Sequence, residues 1–428
     1  MRFQDSFPEG AQMGFPRLIF HVDVNSAFLS WSSVKILSEN PSAQDLREVP
    51  SAVCGDVESR HGIILAKSIP SKKYGVTTGE PVGAALRKCP GLILVKPDFS
   101  FYRRCSDALM KMLGEYSPAL EQLSIDEAFA DMTGIAMSEE EAVRKAYAVK
   151  DRVREELGFT VNVGVADNKL LAKMASDFEK PDKVHTLFSR EVPQKMWPLP
   201  VGDLYGIGKS SQAALRSMGI ETIGDLASCP EEKLIARFGS KTGTRLGRAA
   251  RGEDDSPVKT EEDERKSYGN SITLSKDLTE DTRDELDPIL LALADSVACR
   301  MRADGVRASQ LTVQLRTAGF KDRSRQGPLS KPTDVTDEIY AAAKELFMRL
   351  WDGKTPVRLI GVSASKLTTE EGSQMTLFDS ASVEDEESQK SRKLDEVTDS
   401  IRKKFGRSSL MRGSVLGSAD AGNVGRKE

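Results

Sequence analysis

The sequence predicts a multidomain α+β chain built around a ferredoxin-like sheet, and three observations carry that prediction. Between residues 17 and 165 the apolar patterning runs strand, helix, strand pair, helix, strand, which is the ferredoxin-like plan. Three acids stand where that plan brings strand ends together. Asp23 closes the apolar run Leu18–Val22, and the adjacent Asp126 and Glu127 form a polar step between the apolar segments Ala119–Ile125 and Ala128–Met132. The chain's 428 residues, 39% hydrophobic and 29% charged, suffice for about two to four domains with ordinary cores.

An Asp-Glu pair alone would read as a solvated turn. Asp23 changes that reading, because a strand that buries its body and delivers one acid at its tip holds the carboxylate on a rigid element. Three such oxygen ligands suit Mg²⁺ in a two-metal site, with room left for waters and substrate phosphates. The chemistry this points to is phosphoryl transfer on nucleotides.

Taken in order, residues 1–14 read as a flexible arm and 17–24 as a buried strand. Ala27, Phe28, Trp31, Val34 and Leu37 then follow helical spacing. Residues 50–95 alternate short apolar runs with Gly and Pro, a small mixed module carrying the basic patch Lys67, Lys72 and Lys73. Asp98 to Tyr116 has helical spacing that Pro118 ends. Ser138 with Glu141 three residues on forms a capping-box pattern for a helix that stops at Gly158. Phe159, Val161, Val163 and Val165 alternate with Thr160, Asn162 and Gly164, a strand signal.

Asn168–Phe178 reads as a helix with Lys169 and Lys173 one turn apart. Leu204–Lys209, then Ala213–Met218 and Gly219-Ile220, form a helix-hairpin-helix pattern. In it Gly206 and Gly208 would let backbone N–H groups approach a phosphate; a tight turn between core helices fits the residues equally well. Gly252–Glu264 is a polar linker. A second module over 265–367 has strands near 266–273, 311–316 and 357–367 and helices near 284–303 and 334–351. Arg300, Arg302, Arg307, Arg316, Lys321, Arg323 and Arg325 outnumber Asp304 and Asp322 there, a basic edge suited to tracking phosphates or a solvated face. From Thr368 the composition turns acidic and serine-rich, so disorder is expected. Within that tail Gln374–Phe378 is an apolar island of the kind that docks in a groove on another protein. Leu394, Val397, Ile401 and Phe405 recur at helical spacing, so part of the tail could fold back.

The formal net charge of −4 argues superficially against nucleic acid, but residues 369–387 hold seven acids and no base, so the remainder is about +3. Five scattered cysteines without a C-x-x-C pair fit reduced thiols in a cytosol. His21, His61 and His185 lie too far apart in sequence for a zinc box. The apolar runs are too short to cross a bilayer, and the N-terminus lacks a secretory pattern.

Four motifs, His21-Val22-Asp23-Val24-Asn25-Ser26-Ala27-Phe28, Ser124-Ile125-Asp126-Glu127-Ala128, Asn168-Lys169-Leu170-Leu171-Ala172-Lys173 and Gly206-Ile207-Gly208, stand in register over about residues 17–367. Together they resemble the Y-family translesion DNA polymerases, the DinB type above all. The resemblance implies a right-hand polymerase with a palm (15–26 and 96–182), small fingers (27–95) and a helix-hairpin-helix thumb (183–252). A linker (253–264), a βα little finger (265–367) and a largely disordered tail (368–428) would complete it. It implies low-fidelity, template-directed addition of dNTPs to a primer 3′-OH without a proofreading exonuclease. Asp23, Asp126 and Glu127 become the catalytic ligands of two Mg²⁺ ions, or Mn²⁺ in their place, with Val24 adding its carbonyl. Lys169 matches the lysine that contacts the triphosphate, and Phe28 falls at the steric gate that excludes a 2′-OH, although core packing would also explain it.

Lys72 and Ile69 stand where the family presents Arg and Tyr to the nucleotide, and lysine keeps the charge without the bidentate fork. Ala27 precedes Phe28 where many relatives carry two adjacent aromatics. Gly206, Gly208 and Lys209 of the thumb and Arg316 and Arg323 of the little finger would contact DNA. Gln374, Leu377 and Phe378 resemble the peptide that binds the sliding clamp. The partners implied are primer–template DNA, dNTP and the clamp, for a monomer in the bacterial cytoplasm that makes no use of a membrane. A catalytically weak or silent scaffold would not need the three carboxylates, and a nucleotidyl cyclase would have no use for the thumb hairpin.

Overall fold

A computed structural model describes residues 17–55, 62–261, 264–369 and 383–424. They form two compact units, the first ending at residue 261 and the second beginning at 264.

The first unit opens with β1 (Ile19–Val24), whose side chains alternate between two cores. Phe20, Val22 and Val24 enter one apolar cluster while Ile19 enters another, so both faces of the strand are covered. Ser26 takes a left-handed conformation (φ 50°) and turns the chain into α1 (Ala27–Glu39). A small module follows: β2 (Ser51–Cys54), β3 (Ile64–Lys67), α2 (Ile69–Lys72), α3 (Val82–Lys88) and β4 (Ile93–Val95). Its sheet has the order β3-β2-β4, and Ala52, Ile64, Val82 and Ala85 fill its core.

Next come α4 (Phe99–Gly114), β5 (Leu120–Gln122), β6 (Glu127–Asp131), α5 (Glu139–Arg152), β7 (Val161–Ala166), α6 (Lys169–Ser176) and β8 (Val184–Thr186). The five-stranded sheet has the order β5-β6-β1-β7-β8 and is antiparallel except for β8, which runs parallel to β7. The ferredoxin-like order is therefore present, with β8 added at the edge. Tyr102, Leu109 and Met112 of α4 and Ala142, Ala146 and Val149 of α5 cover one face. Ser138 Oγ accepts from the Glu141 N–H at 3.2 Å, and the Glu141 carboxylate reaches one residue further back than a reciprocal box requires, to the Met137 N–H at 2.9 Å. Gly158 closes the helix at φ 76°, as its place in the sequence predicts.

The helical segment comprises α7 (Val192–Lys195), α8 (Lys209–Ser217), α9 (Ile223–Ser228), α10 (Glu231–Phe238) and α11 (Ser240–Ala250). Leu204, Leu215, Ile220, Ile223, Leu234 and Leu246 share one core with Leu171 and Met174 of α6. The polar stretch after Gly252 is not a free linker over its first half. Arg17 reaches the Asp254 carbonyl at 3.3 Å, the Leu170 N–H binds the Asp254 carboxylate at 3.1 Å, and the Lys259 N–H binds Glu121 Oε2 at 2.6 Å. Its Asp254 satisfies a backbone donor in the first turn of α6 and its own backbone donates to Glu121 of β5, which is why a charged stretch lies down instead of floating.

The second unit contains β9 (Ser267–Leu278), α12 (Leu286–Ala303), β10 (Arg307–Thr317), β11 (Asp322–Thr333), α13 (Thr336–Leu350), β12 (Val357–Thr368), α14 (Val383–Phe405) and α15 (Ala419–Asn423). Its antiparallel sheet has the order β11-β10-β12-β9, and Ile289, Leu293, Val297, Ile339 and Phe347 of α12 and α13 pack on it. The sequence hid β11, because Gly327, Pro328 and Pro332 argue against a strand. It is tolerated as the edge strand, where a proline costs no ladder bond on its open side.

The expectation of a largely disordered tail is overturned for residues 383–424, which fold onto this unit. Asp395, 3% exposed, takes the Thr336 N–H at 2.9 Å and pairs with Arg302 at 3.1 Å and Arg412 at 2.7 Å. Arg392 pairs with Asp334, Arg402 with Asp295, and Val415 and Ala421 enter the core. The helix thus docks by its charged face. Its apolar stripe points outward, with Leu394 63%, Val397 57% and Phe405 66% exposed. Gln374, Leu377 and Phe378 lie outside the described residues.

Candidate active site

Asp23 and Glu127 are cross-strand partners on β1 and β6, and Asn162 of β7 flanks Asp23 on the other side. Paired residues of antiparallel neighbours share a face, so the two carboxylates project together. That face belongs to α6. Gly164 of β7 is in register with His21, and a Cβ there would lie 2.0 Å from the Ala172 carbonyl oxygen, so only glycine lets the helix come this close. The approach sets Lys173 over the carboxylates, 3.0 Å from Glu127 Oε2 and 3.8 Å from Asp23 Oδ2. Lys180 adds a second ammonium, 2.7 Å from Asp23 Oδ2 and 2.9 Å from Asp177 Oδ1.

His21 lies buried beneath, with Nδ1 2.7 Å from Ser176 Oγ and Nε2 3.5 Å from Glu127 Oε2, a long contact that leaves this nitrogen without a full hydrogen bond. Burial pushes the imidazole below its ordinary value. Burial pushes Asp23 above its ordinary value, against the pull of Lys180 and Lys173. Glu127 goes the other way, held down to about 2 by His21 first and then by Lys173, against its own burial. The two acids therefore differ sharply in proton affinity although they are adjacent.

Asp126 sits one residue outside β6, in the turn. Its carbonyl accepts the Val24 N–H at 3.0 Å, which ties it to the end of β1, and its carboxylate accepts the Ser124 hydroxyl at 2.7 Å. The strand register thus brings Asp23 and Glu127 together and leaves the Asp126 side chain engaged within its own turn. Among the described residues no group of three or more His, Cys, Asp or Glu stands arranged to hold a metal. Asp23 and Glu127 nevertheless converge on a shared ammonium, so the donor set presents hard oxygen atoms to a cation.

Lys169 does not face the carboxylate pair. It caps Glu121 of β5 at 2.7 Å, lies 4.9 Å from the Phe129 ring centroid and reaches the Pro257 carbonyl at 3.4 Å. The cause is position along the helix: the two lysines share a face of α6, but Lys169 at its first residue reaches Glu121 of β5, while Lys173, one turn further along, lies over β1 and β6. Sequence reasoning assigned no role to Lys173 or Lys180. A lone lysine in the apolar run Leu170–Ala175 was the available signal for Lys173.

Phe28, half-buried on α1, stacks on Tyr102 with centroids 4.8 Å apart and rings 10° from parallel, and meets Phe99 edge-on at 5.8 Å. Lys72 is exposed at the end of α2 beside Ile69, 43% exposed, and near Lys67, whose ammonium burial and Lys72 push below its ordinary value. In the hairpin before α8, Gly206 has φ 86° and Gly208 is the N-cap, followed by Lys209. In the second unit Arg316 is paired with Asp322 at 2.7 Å and Arg323 with Asp352 at 3.4 Å, so both basic groups carry an acidic partner. Among the described residues no helix is long and apolar enough to cross a membrane.

Comparison with known proteins gives a consistent result. The impB/mucB/samB family matches residues 22–177, its C-terminal domain matches 265–377, and a thumb domain described for DNA polymerase-iota matches 202–254. The chain is 42% identical to the DNA polymerase IV of Clostridium acetobutylicum over 400 residues, 94% of this chain and 98% of that one. It is 37% identical to DNA polymerase IV 1 of Bacillus subtilis over 406 residues, 94% of each chain. Among solved structures it is similar to a Y-family DNA polymerase chimera, Dbh-Dpo4(243-245)-Dbh. That likeness has a TM-score of 0.70 at 25% identity and covers 82% of this chain and all of the other.

Proposed function

The chain belongs to the impB/mucB/samB family of Y-family DNA polymerases, and from that premise we propose how it carries out low-fidelity, template-directed DNA synthesis of the translesion type. The observation that carries the site assignment is the Asp23–Glu127 register pair, whose carboxylates converge on one cation. In our reading Asp23, Asp126 and Glu127, with the Val24 carbonyl, hold divalent metal, two Mg²⁺ ions, and Mn²⁺ can substitute. Bound there, the metal would lower the pKa of the primer 3′-OH and balance charge on the departing pyrophosphate. The 3′-oxygen bonds to the α-phosphorus as the bond to the β-phosphate bridge breaks, and the hydroxyl proton leaves to solvent.

The chain's own side chains position these groups. Lys180, exposed over a third of its side chain and resting on Asp23, takes the triphosphate role that the motif position suggested for Lys169. Lys169 instead braces β5 against the stretch after Gly252. Phe28, stiffened by Tyr102 and Phe99, stands against the sugar, and Lys72 adds a mobile charge at the fingers. The Gly206–Gly208 hairpin with Lys209 contacts DNA phosphates. Arg316 and Arg323 contact DNA once their carboxylate partners give way to phosphate. Gln374, Leu377 and Phe378 tether a sliding clamp. We place this monomeric enzyme in the bacterial cytoplasm.

One-nucleotide extension of a primer–template with Mg²⁺ tests the assignment. Glu127→Gln or Asp126→Asn is expected to lower incorporation by at least about a hundredfold while DNA affinity holds. Substantial incorporation by both variants would overturn it.

A further inference from the structure

Lys173 lies on the buried side of α6, among Leu171, Ala172, Met174 and Ala175. Its side chain is 8% exposed, and its ammonium stands among three acids, 3.0 Å from Glu127, 3.8 Å from Asp23 and 3.7 Å from Asp177. The tight seat of α6 on Gly164 holds the backbone that carries Lys173 close to the sheet. Lys180 differs: with a third of its side chain exposed it can exchange Asp23 for an incoming anion. Lys173 is held in place by the fold.

A charge buried this deeply is costly to desolvate, and an unbranched apolar side chain would fill the same space, so packing alone does not call for an ammonium here. What the ammonium does is balance negative charge where the carboxylates face each other. Any further cation brought to the same oxygens meets a like charge, and in a partly buried site water screens that repulsion poorly.

We propose that Lys173 is a fixed counter-ion that makes divalent-metal binding at Asp23 and Glu127 conditional on nucleotide. The protein alone attracts the metal weakly, and the negative triphosphate restores the attraction, so ion and nucleotide load together. This rests on the polymerase reading of the site. Lys173 is a positioning residue in this account, since it acts on the carboxylates and touches no reacting atom.

The test is Mn²⁺ binding, read as loss of the free-ion electron paramagnetic resonance signal. The full-length protein carries primer–template, with or without a non-hydrolysable dNTP. Wild type is expected to bind Mn²⁺ at least about tenfold more tightly with nucleotide than without. Lys173→Met should tighten nucleotide-free binding by about tenfold or more, whereas Lys173→Arg, which keeps the charge, should match wild type. Unchanged or weaker binding in Lys173→Met, or equal tightening in Lys173→Arg, would overturn the proposal. If Lys173→Met does not unfold cooperatively, Lys173→Gln takes its place under the same expectation, with the Mn²⁺ held by nucleotide without protein subtracted throughout, and unchanged or weaker nucleotide-free binding overturns the proposal. Failure of the polymerase reading looks different: wild type with DNA and nucleotide would then hold no more Mn²⁺ than Asp23→Asn does.

Discussion

Two carboxylates that touch the same lysine make opposite contributions to stability. Asp23 has its proton affinity raised by folding, so the stability linked to it is fully present below its unfolded value of 3.8 and is lost as pH rises through the folded one. At neutral pH its charge is a burden, and Asp23→Asn is expected to raise the melting temperature of the metal-free protein. Glu127, held at about 2, contributes stability above its ordinary 4.5 that is lost as pH falls through about 2, so Glu127→Gln should lower the melting temperature. Scanning calorimetry in chelator checks both signs. Phe28→Ala should admit ribonucleotides in single-nucleotide incorporation and cost roughly 2 kcal/mol, about half of what a fully buried ring costs. Unchanged sugar discrimination would return Phe28 to packing alone. At this scale the strand-end positions of Asp23 and Glu127 were legible, because strand period is a short-range property, while the register that pairs them joins strands far apart in sequence. That Lys173 and Lys180 lie on the pair while Lys169 reaches Glu121 was not legible, because it depends on where α6 and the turn after it sit over the sheet, a placement that Gly164 allows from another strand.

Elements with clear periodicity were legible and elements defined by their surroundings were not. The β1, β7 and α5 patterns can be read directly from alternation and capping. β11 escaped notice because its prolines are acceptable only at an edge, and edge position is a property of the whole sheet. α14 was visible as a helical repeat of Leu394, Val397, Ile401 and Phe405, but the usual inference, that such a stripe faces the core, is reversed. The pocket it meets is charged, and Asp395 fits between Arg302 and Arg412, where a leucine would cost each cation one of its two acidic partners and leave only Asp399 and Asp337. Asp395→Ala, which also leaves the Thr336 N–H without its acceptor, is therefore expected to cost about 1.5–3 kcal/mol in the second unit. Urea unfolding monitored at Trp351, which packs in that unit's core, measures it, and a loss under about 1 kcal/mol would show the pairs to be dispensable.

For the whole molecule, chain order, the ferredoxin-like sheet and the boundary near residue 264 followed from composition and motif spacing, while the fate of residues 383–424 did not. A serine-rich acidic stretch looks the same whether it ends a protein or separates two folded pieces, and only the ion pairs made after residue 383 distinguish the cases. β12 ends at Thr368 and α14 begins at Val383, and both belong to the second unit. One protease cut between them would therefore not release a tail. The two fragments would stay associated through Arg302, Arg392 and Arg402 and through Val415 and Ala421 in the shared core, so a nicked molecule would travel as one particle until a denaturant parted it.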